Sequence, residues 1–477
     1  MTELHDLSAL DQSAAIRDGS ITAVELVEHY LRRADALDAT VGAFVTRTDD
    51  LALEQARAID ARVEAGDDLG PLAGAVVPVK DLDVVAGVRF RGGSAVVDMM
   101  GPHDDNVVTR MRQGGLVITG KTNTPEFGMP CYTEPDVAPP ARTPWDLTRS
   151  AGGSSGGAAA AVSSGLASAA QGNDGGGSIR IPASVTGLVG IKPTRGRISN
   201  GPWPDGLGEL TTHGPLARTV ADAAALLDVL AGPLPGDPFP LPSSEADGTF
   251  LAAAGREPGR LRVGRYCTPV VAEMDVDPVC LAAYEEATAL LVELGHEVED
   301  VAPPFAPSSV HAFESVWCIG ALSVPVPADQ EEGLRPLTRW LRERARHVSG
   351  IELAQAVLTM RTLARTMMEA TAEYDVVLTP TLGQPPALVG GLRDDADPAA
   401  DFEAQKRFTP FTAPYNVSGQ PAVSVPLSWP EVEGVVLPVG VQLVGRTGEE
   451  RTLISLAAQM ERARPWGHRR PPVWNQA

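Results

Sequence analysis

The sequence predicts an α/β protein in which helices cover a β-sheet. Short β-branched and apolar runs recur along the whole chain, and helical patterns alternate with them. A length of 477 residues with 43% hydrophobic content is ample for a large buried core.

The elements follow in order. Residues 8–65 read as helical: Thr22-Ala-Val-Glu25 is a capping box, and Leu26, Val27, Tyr30 and Leu31 recur at helical spacing. From Leu72 the texture changes to Gly74-Ala-Val-Val-Pro-Val-Lys80, a strand run ending in a lysine, and Gly115-Leu-Val-Ile-Thr-Gly120 is a second strand candidate. Gly152-Gly-Ser-Ser-Gly-Gly157 leads into a helix dominated by Ala, Ser and Gly, then into Gly172-Asn-Asp-Gly-Gly-Gly-Ser178, where small residues permit close backbone approach. A Pro-rich surface connector runs from Pro233 to Pro242. A strand–helix–strand unit follows: Leu261 to Gly264, an amphipathic stretch from Pro278 to Leu294 stopped by Gly295, and Glu297 to Val301. Ser349 caps a helix reaching about Glu373, after which Tyr374–Leu378, Pro421–Val425 and Val436–Val444 return as strands.

Composition excludes several function classes. The net charge of −22, with no basic block, repels polyanions, so direct nucleic-acid binding is not expected. Cys131, Cys267, Cys280 and Cys318 lie far apart without a Cys-x-x-Cys pair, and read as reduced thiols. The N-terminus lacks both a basic region and an apolar export segment, and nowhere do roughly 18 apolar residues run together, so a cytoplasmic protein with no membrane span is expected.

Three motifs compete for the chemistry. Gly115-Leu-Val-Ile-Thr-Gly120-Lys121-Thr122 matches the P-loop pattern of an NTPase, but Leu116–Thr119 is strand-like where a phosphate cradle needs a loop, and Pro125 sits where the helix should open. Gly152-Gly-Ser154-Ser-Gly156 matches the nucleophile elbow of α/β-hydrolase esterases. No buried strand precedes it, though, and none of His213, His296, His311 or His347 sits in a loop suited to a triad histidine.

The third reading unites the glycine-rich pieces. Lys80, Ser154 and Ser178, with Gly152-Gly-Ser-Ser-Gly-Gly, Gly-Gly-Ser-Ile-Arg-Ile-Pro182 and Tyr415-Asn-Val-Ser-Gly-Gln-Pro-Ala-Val-Ser-Val-Pro426, resemble the amidase signature family. Ser178 follows Ser154 by 24 residues, the spacing that family uses, and its lysine likewise lies upstream at a strand end. The resemblance implies an α/β/α sandwich around a central mixed sheet and hydrolysis of a carboxylic amide through an acyl-enzyme. Ser178 would be the nucleophile, Ser154, after a cis peptide, the proton relay, and Lys80 the base. It implies an oxyanion hole from Gly175, Gly176, Gly177 and the Ser178 amide, and no cofactor or metal.

Burial of Lys80 would favour the neutral amine that such a base requires. Ser155 is a candidate to orient Lys80. Asp174 and Arg180 are expected to pair and brace the loop. Gly128, Met129 and Cys131 would border the acyl side of the pocket, while nothing near Cys131 in sequence would activate it as a nucleophile. Asn173-Asp-Gly175 departs from the family's commoner Thr-Asp-Thr, or an aliphatic there, a difference expected to bear on loop support or specificity more than on reaction type.

Within the family, the A subunit of glutamyl-tRNA amidotransferase is the main alternative to a stand-alone amidase. Leu210-Thr-Thr-His-Gly-Pro215 stands where that subunit usually has a Ser-Leu-Asp-Gln type sequence, and the core wording is closer to stand-alone amidases, including the 6-aminohexanoate cyclic dimer hydrolase type. The chain is accordingly divided as one domain, with a helical segment at 1–70, a catalytic core at 71–232, a substrate-specificity region at 240–375 that includes Trp317 and Cys318 as candidate pocket residues, and a return of the sheet at 376–477. The expected partner is a small-molecule amide; a homodimer is left open.

Overall fold

Two sheets organise the chain in the computed structural model, which describes residues 3–203, 206–242 and 245–476. Residues 1–2, 204–205, 243–244 and 477, which fall in the segments expected at 1–70, 71–232, 240–375 and 376–477, lie outside the described residues. Strands β1 (Phe44–Arg47), β2 (Val79–Lys80) and β3 (Gly120–Thr122) form a small sheet in the order β1-β3-β2. The large sheet contains β4 (Ala170–Asp174), β5 (Val189–Lys192), β6 (Thr212–Ala217), β7 (Arg262–Arg265), β8 (Glu297–Asp300), β9 (Val376–Pro380), β10 (Ala422–Ser428) and β11 (Val439–Gly445). Their spatial order is β8-β7-β9-β11-β10-β5-β6-β4.

The large sheet is mixed. β7 runs parallel to both β8 and β9, whereas every other neighbouring pair is antiparallel. All residues of β10 and β11 are buried, so both faces of these strands are covered. The predicted strand–helix–strand unit is present: the helix Pro278–Glu293 carries the chain from β7 across to its parallel neighbour β8. The largest apolar cluster draws on residues from Ala9 to Trp466, so segments from end to end of the chain share it.

Local signals account for the helix starts. Thr22 Oγ1 accepts the Glu25 amide at 3.0 Å while Glu25 Oε2 accepts the Thr22 amide at 2.8 Å, and Ser349 and Glu352 form the same reciprocal cap. The second helix ends at Ala370, short of the expected Glu373.

Two strand readings need correction. The N-terminal stretch is helical at Ala9–Arg17, Ala23–Val41 and Asp49–Glu64, but β1 interrupts it. Its partner β3 is too distant in sequence for a local pattern to announce the pairing. The predicted strand 115–120 contributes only an isolated bridge, Val117 to Val76, and the ladder begins at Gly120. A side chain at Gly120 would lie 2.5 Å from Thr46 O and 2.8 Å from the Phe44 ring, so the glycine lets β1 approach β3. Among the described residues no helix is long and apolar enough to cross a membrane, and the four cysteines are unpaired.

One partly buried acid gives a stability prediction. Burial pushes Glu461 up to about 7, with the Asp222 carboxylate adding to the effect and the Val220 amide, 3.0 Å from Oε2, opposing it. An acid raised in the folded state contributes stability that is intact below its unfolded pKa and is lost as pH rises toward the folded one. Glu461→Gln keeps an oxygen for Val220. Thermal melts should show it matching the parent near pH 4.5 and exceeding it by ~1–3 kcal/mol at pH 8.

Candidate active site

The small sheet and the edge strand β4 together present Lys80. Its backbone N–H donates to Gln171 Oε1 at 2.9 Å, and its side chain is fully buried. Nζ lies 2.7 Å from Ser154 Oγ and 2.6 Å from Asn173 Oδ1. Burial lowers the amine to about 7 despite the Asp83 and Asp174 charges, which act in the opposite direction. Burial thus shifts Lys80 toward the uncharged form.

Ser154 follows a cis Gly153–Ser154 peptide and precedes the helix Gly156–Ser163. The glycines on either side are required by close backbone neighbours. A Cβ at Gly153 would meet Tyr132 N at 2.8 Å, and one at Gly157 would meet Asn123 N at 2.3 Å. Gly128 lies behind the serine, where a Cβ would sit 3.2 Å from Ser154 Oγ. Ser155 does not reach Lys80: its Oγ donates to Asn173 O at 3.2 Å and its amide to Ser178 O at 3.1 Å, which ties the two serine loops together.

The loop leaving β4 is held by one carboxylate. Asp174 accepts from Arg180 Nε at 3.0 Å and Nη2 at 2.8 Å, from Asn416 Nδ2 at 2.8 Å and from the Ile179 amide at 3.1 Å. Burial opposes the charge of Asp174, but the Arg180 guanidinium beside it, with Lys192 and Asn416, holds its carboxyl well below the usual range. Arg180 continues to Gln442 Oε1 at 2.6 Å and Asn416 Oδ1 at 2.6 Å, so the Tyr415-Asn-Val-Ser segment and β11 brace the loop from the far end of the sequence.

Gly177, expected above as an oxyanion donor, is corrected by this arrangement: its N–H donates to Asp174 Oδ1 at 2.8 Å. The amides of Gly175, Gly176 and Ser178 have no partner among the described residues, and Thr412 Oγ1 pins the Gly176 carbonyl at 2.6 Å. Gly177 adopts φ 131°, and a Cβ there would sit 2.3 Å from Thr412 Oγ1.

Ser178 Oγ has no hydrogen-bond partner among the described residues, and the residue lines a cleft with about 600 Å³ of empty space, part of it open to solvent. Met129, Cys131, Ile181, Phe313, Trp317 and Phe402 form its apolar wall. The Phe313 and Trp317 rings stack with centroids 5.4 Å apart, and Trp317 lies against Gly175 and Gly176. Cys318 does not line the cleft: it packs with Leu341 behind the cleft wall, in an apolar cluster that Phe402 and Trp317 share. Burial pushes the Cys131 thiol far up, which removes it as a nucleophile. Residues 240–375 supply one wall only; Phe402, Gln405, Lys406, Thr409 and Ala413 form another.

Neither competing motif assembles. Gly120–Thr122 is a buried strand and Lys121 Nζ is paired with Asp81 Oδ1 at 2.7 Å, so no phosphate cradle exists there. His213 contacts Gln171 and Asp83, His296 contacts Gln459, and His347 contacts Glu343; none meets either serine.

A family model described as Amidase matches residues 25–454. The chain is 39% identical over 481 residues to a putative amidase, AmiB2, of Mycobacterium tuberculosis, covering 99% of both chains. It is 36% identical over 496 residues to the 6-aminohexanoate-cyclic-dimer hydrolase of Paenarthrobacter ureafaciens, covering 98% of this chain and 97% of the other. A solved structure of a 6-aminohexanoate cyclic dimer hydrolase superposes with a TM-score of 0.91 at 33% identity, over 100% of each chain.

Proposed function

The chain belongs to the amidase family and is a hydrolase of carboxylic amide C–N bonds, and from that premise we propose that it works through Lys80, Ser154 and Ser178, on amides with an uncharged, apolar acyl group. The observation that carries the mechanism is the 2.7 Å contact between Lys80 Nζ and Ser154 Oγ in a site that hides the amine from water. Neutral Lys80 takes the proton of Ser154 as Ser154 takes that of Ser178. The Ser178 Oγ–carbon bond forms, and the carbonyl electron pair moves onto oxygen.

The free amides of Gly175, Gly176 and Ser178 receive that oxyanion; losing one such donor typically costs ~10²–10³ in rate. Collapse breaks the C–N bond as the proton returns through Ser154 to the leaving nitrogen, and water then releases the acid by the same steps.

The charged groups on the cleft wall support the substrate reading. Glu314 and Lys406 line it, and they are already joined at 2.8 Å, with Arg344 on Glu314 at 3.2 Å and Glu403 on Lys406. A charged substituent would therefore be desolvated without a partner, a penalty worth ~10²-fold or more. The same pairing disfavours the amidotransferase-subunit reading, because the ammonium and carboxylate of glutamine each need a counter-charge. Stacked Phe313 and Trp317 offer a planar apolar surface instead.

The test is a kcat/KM series on the chain alone. Hexanoyl and phenylacetyl anilides are expected to exceed succinyl anilide and glutamine by ~10² or more. A preference for glutamine or the succinyl compound would overturn the substrate reading.

A further inference from the structure

The second contact of Lys80 Nζ, Asn173 Oδ1 at 2.6 Å, is to neither serine. We propose that Asn173 is a positioning residue for the base: its amide oxygen takes an N–H of the Lys80 amine and so turns the nitrogen lone pair toward Ser154. The inference rests on the reading of Lys80 as the base.

The argument is one of hydrogen-bond inventory. A neutral amine has two N–H bonds and one lone pair, whereas an ammonium has three N–H bonds and none. Nζ has two partners among the described residues. Ser154 carries a hydroxyl that can donate or accept, and the amide oxygen of Asn173 can only accept. An N–H must therefore point to Asn173, which leaves the second N–H and the lone pair to share the remaining positions, one of them facing Ser154, whose hydroxyl can donate to the lone pair. Without that acceptor the amine would rotate about its terminal bond, and much of the time an N–H would face Ser154 instead.

Strand geometry explains why this falls to residue 173. Side chains alternate across β4, so Gln171 and Asn173 share the face toward Lys80, one holding its backbone N–H and the other its amine, while Asp174 turns to Arg180. Asn173 is fixed from both sides: it pairs with His213 of β6, and its carbonyl accepts Ser155 Oγ at 3.2 Å. The departure from the family's commoner Thr-Asp-Thr thus touches the base itself, rather than loop support or specificity.

The charges acting on Lys80 are Asp83, which accepts from Gln171 Nε2 at 2.9 Å and lies 3.6 Å from His213 Nδ1, and Asp174, which is paired with Arg180. Asn173 gives direction without adding to them. A carboxylate in its place would keep the acceptor but stabilise the ammonium, and a leucine would remove the acceptor altogether.

These substitutions separate positioning from scaffolding. The rate at which a fluorophosphonate probe labels Ser178 is measured against pH, which needs no knowledge of the natural substrate. Wild type should show an acid limb near pH 7. Asn173→Asp should move that limb up by about one unit or more and reach an alkaline plateau within about tenfold of wild type. Asn173→Leu should lose about 10–100-fold at the plateau, with a limb at or below the wild-type position. An unmoved limb in Asn173→Asp, or equal plateau losses in both variants, would overturn the proposal. Equal labelling of Lys80→Met and wild type, with the same limb, would instead overturn the lysine-base reading on which it rests.

Discussion

Replacing Ser178 with alanine is expected to lower kcat/KM for an apolar anilide by ~10⁴ or more while leaving the melting temperature close to that of the parent. The size of the effect follows from covalent catalysis. Without the hydroxyl there is no acyl-enzyme, and the free amides of Gly175, Gly176 and residue 178 can stabilise only a slow attack by water. The small cost to the fold follows from the contacts. The Ser178 side chain makes no hydrogen bond among the described residues, and its backbone, which holds Ser155, is unchanged. Hydrolysis at the parental rate would place the nucleophile elsewhere.

Lys80→Met should be comparably severe, with a loss of ~10³–10⁵, because it removes the base yet keeps an unbranched chain of similar length in the buried channel. Its pH profile is as informative as its rate. The amine must be uncharged to accept a proton, so wild-type activity should rise with pH through about 7, where burial has brought Lys80. Residual activity in Lys80→Met should lack that limb. Melts of the purified variant separate this from damage to the fold, since methionine leaves the Gln171 contact to the residue 80 backbone in place. A Lys80→Met variant within tenfold of wild type, with the limb intact, would show that another group titrates.

The parts of this site legible in the sequence were those built from contiguous residues. The glycines around Ser154 and before Ser178 announce tight backbone approach, and the Thr22 and Ser349 caps mark helix starts because their chemistry is complete within four residues. The α/β character followed from apolar runs that are buried on both faces in β10 and β11. What escaped was long-range. β1 exists because β3 pairs with it, and nothing in Phe44–Arg47 names that partner. Thr412, Asn416 and Gln442 reach the glycine loop from more than 200 residues away.

The correction at Gly177 has the same origin in geometry. Three consecutive glycines look equivalent as letters, but in the fold Asp174 already occupies the N–H of the third. Strand alternation puts Asn173 on the same face of β4 as Gln171, but that this face meets Lys80 depends on a contact between segments about ninety residues apart. Trp317 and Cys318 are neighbours in sequence, yet helical rotation sends one to the cleft and the other into packing.

The central claim, an uncharged Lys80 at working pH, is open to direct measurement because the chain has only four lysines: Lys80, Lys121, Lys192 and Lys406. Burial also brings Lys192 to about 7, so the Lys80 signal is assigned by its loss in Lys80→Met. An NMR titration of protein carrying ¹³C-labelled lysine should show the Lys80 ε-carbon titrating near pH 7. A Lys80 resonance that stays in the ammonium position up to pH 10 would contradict the account.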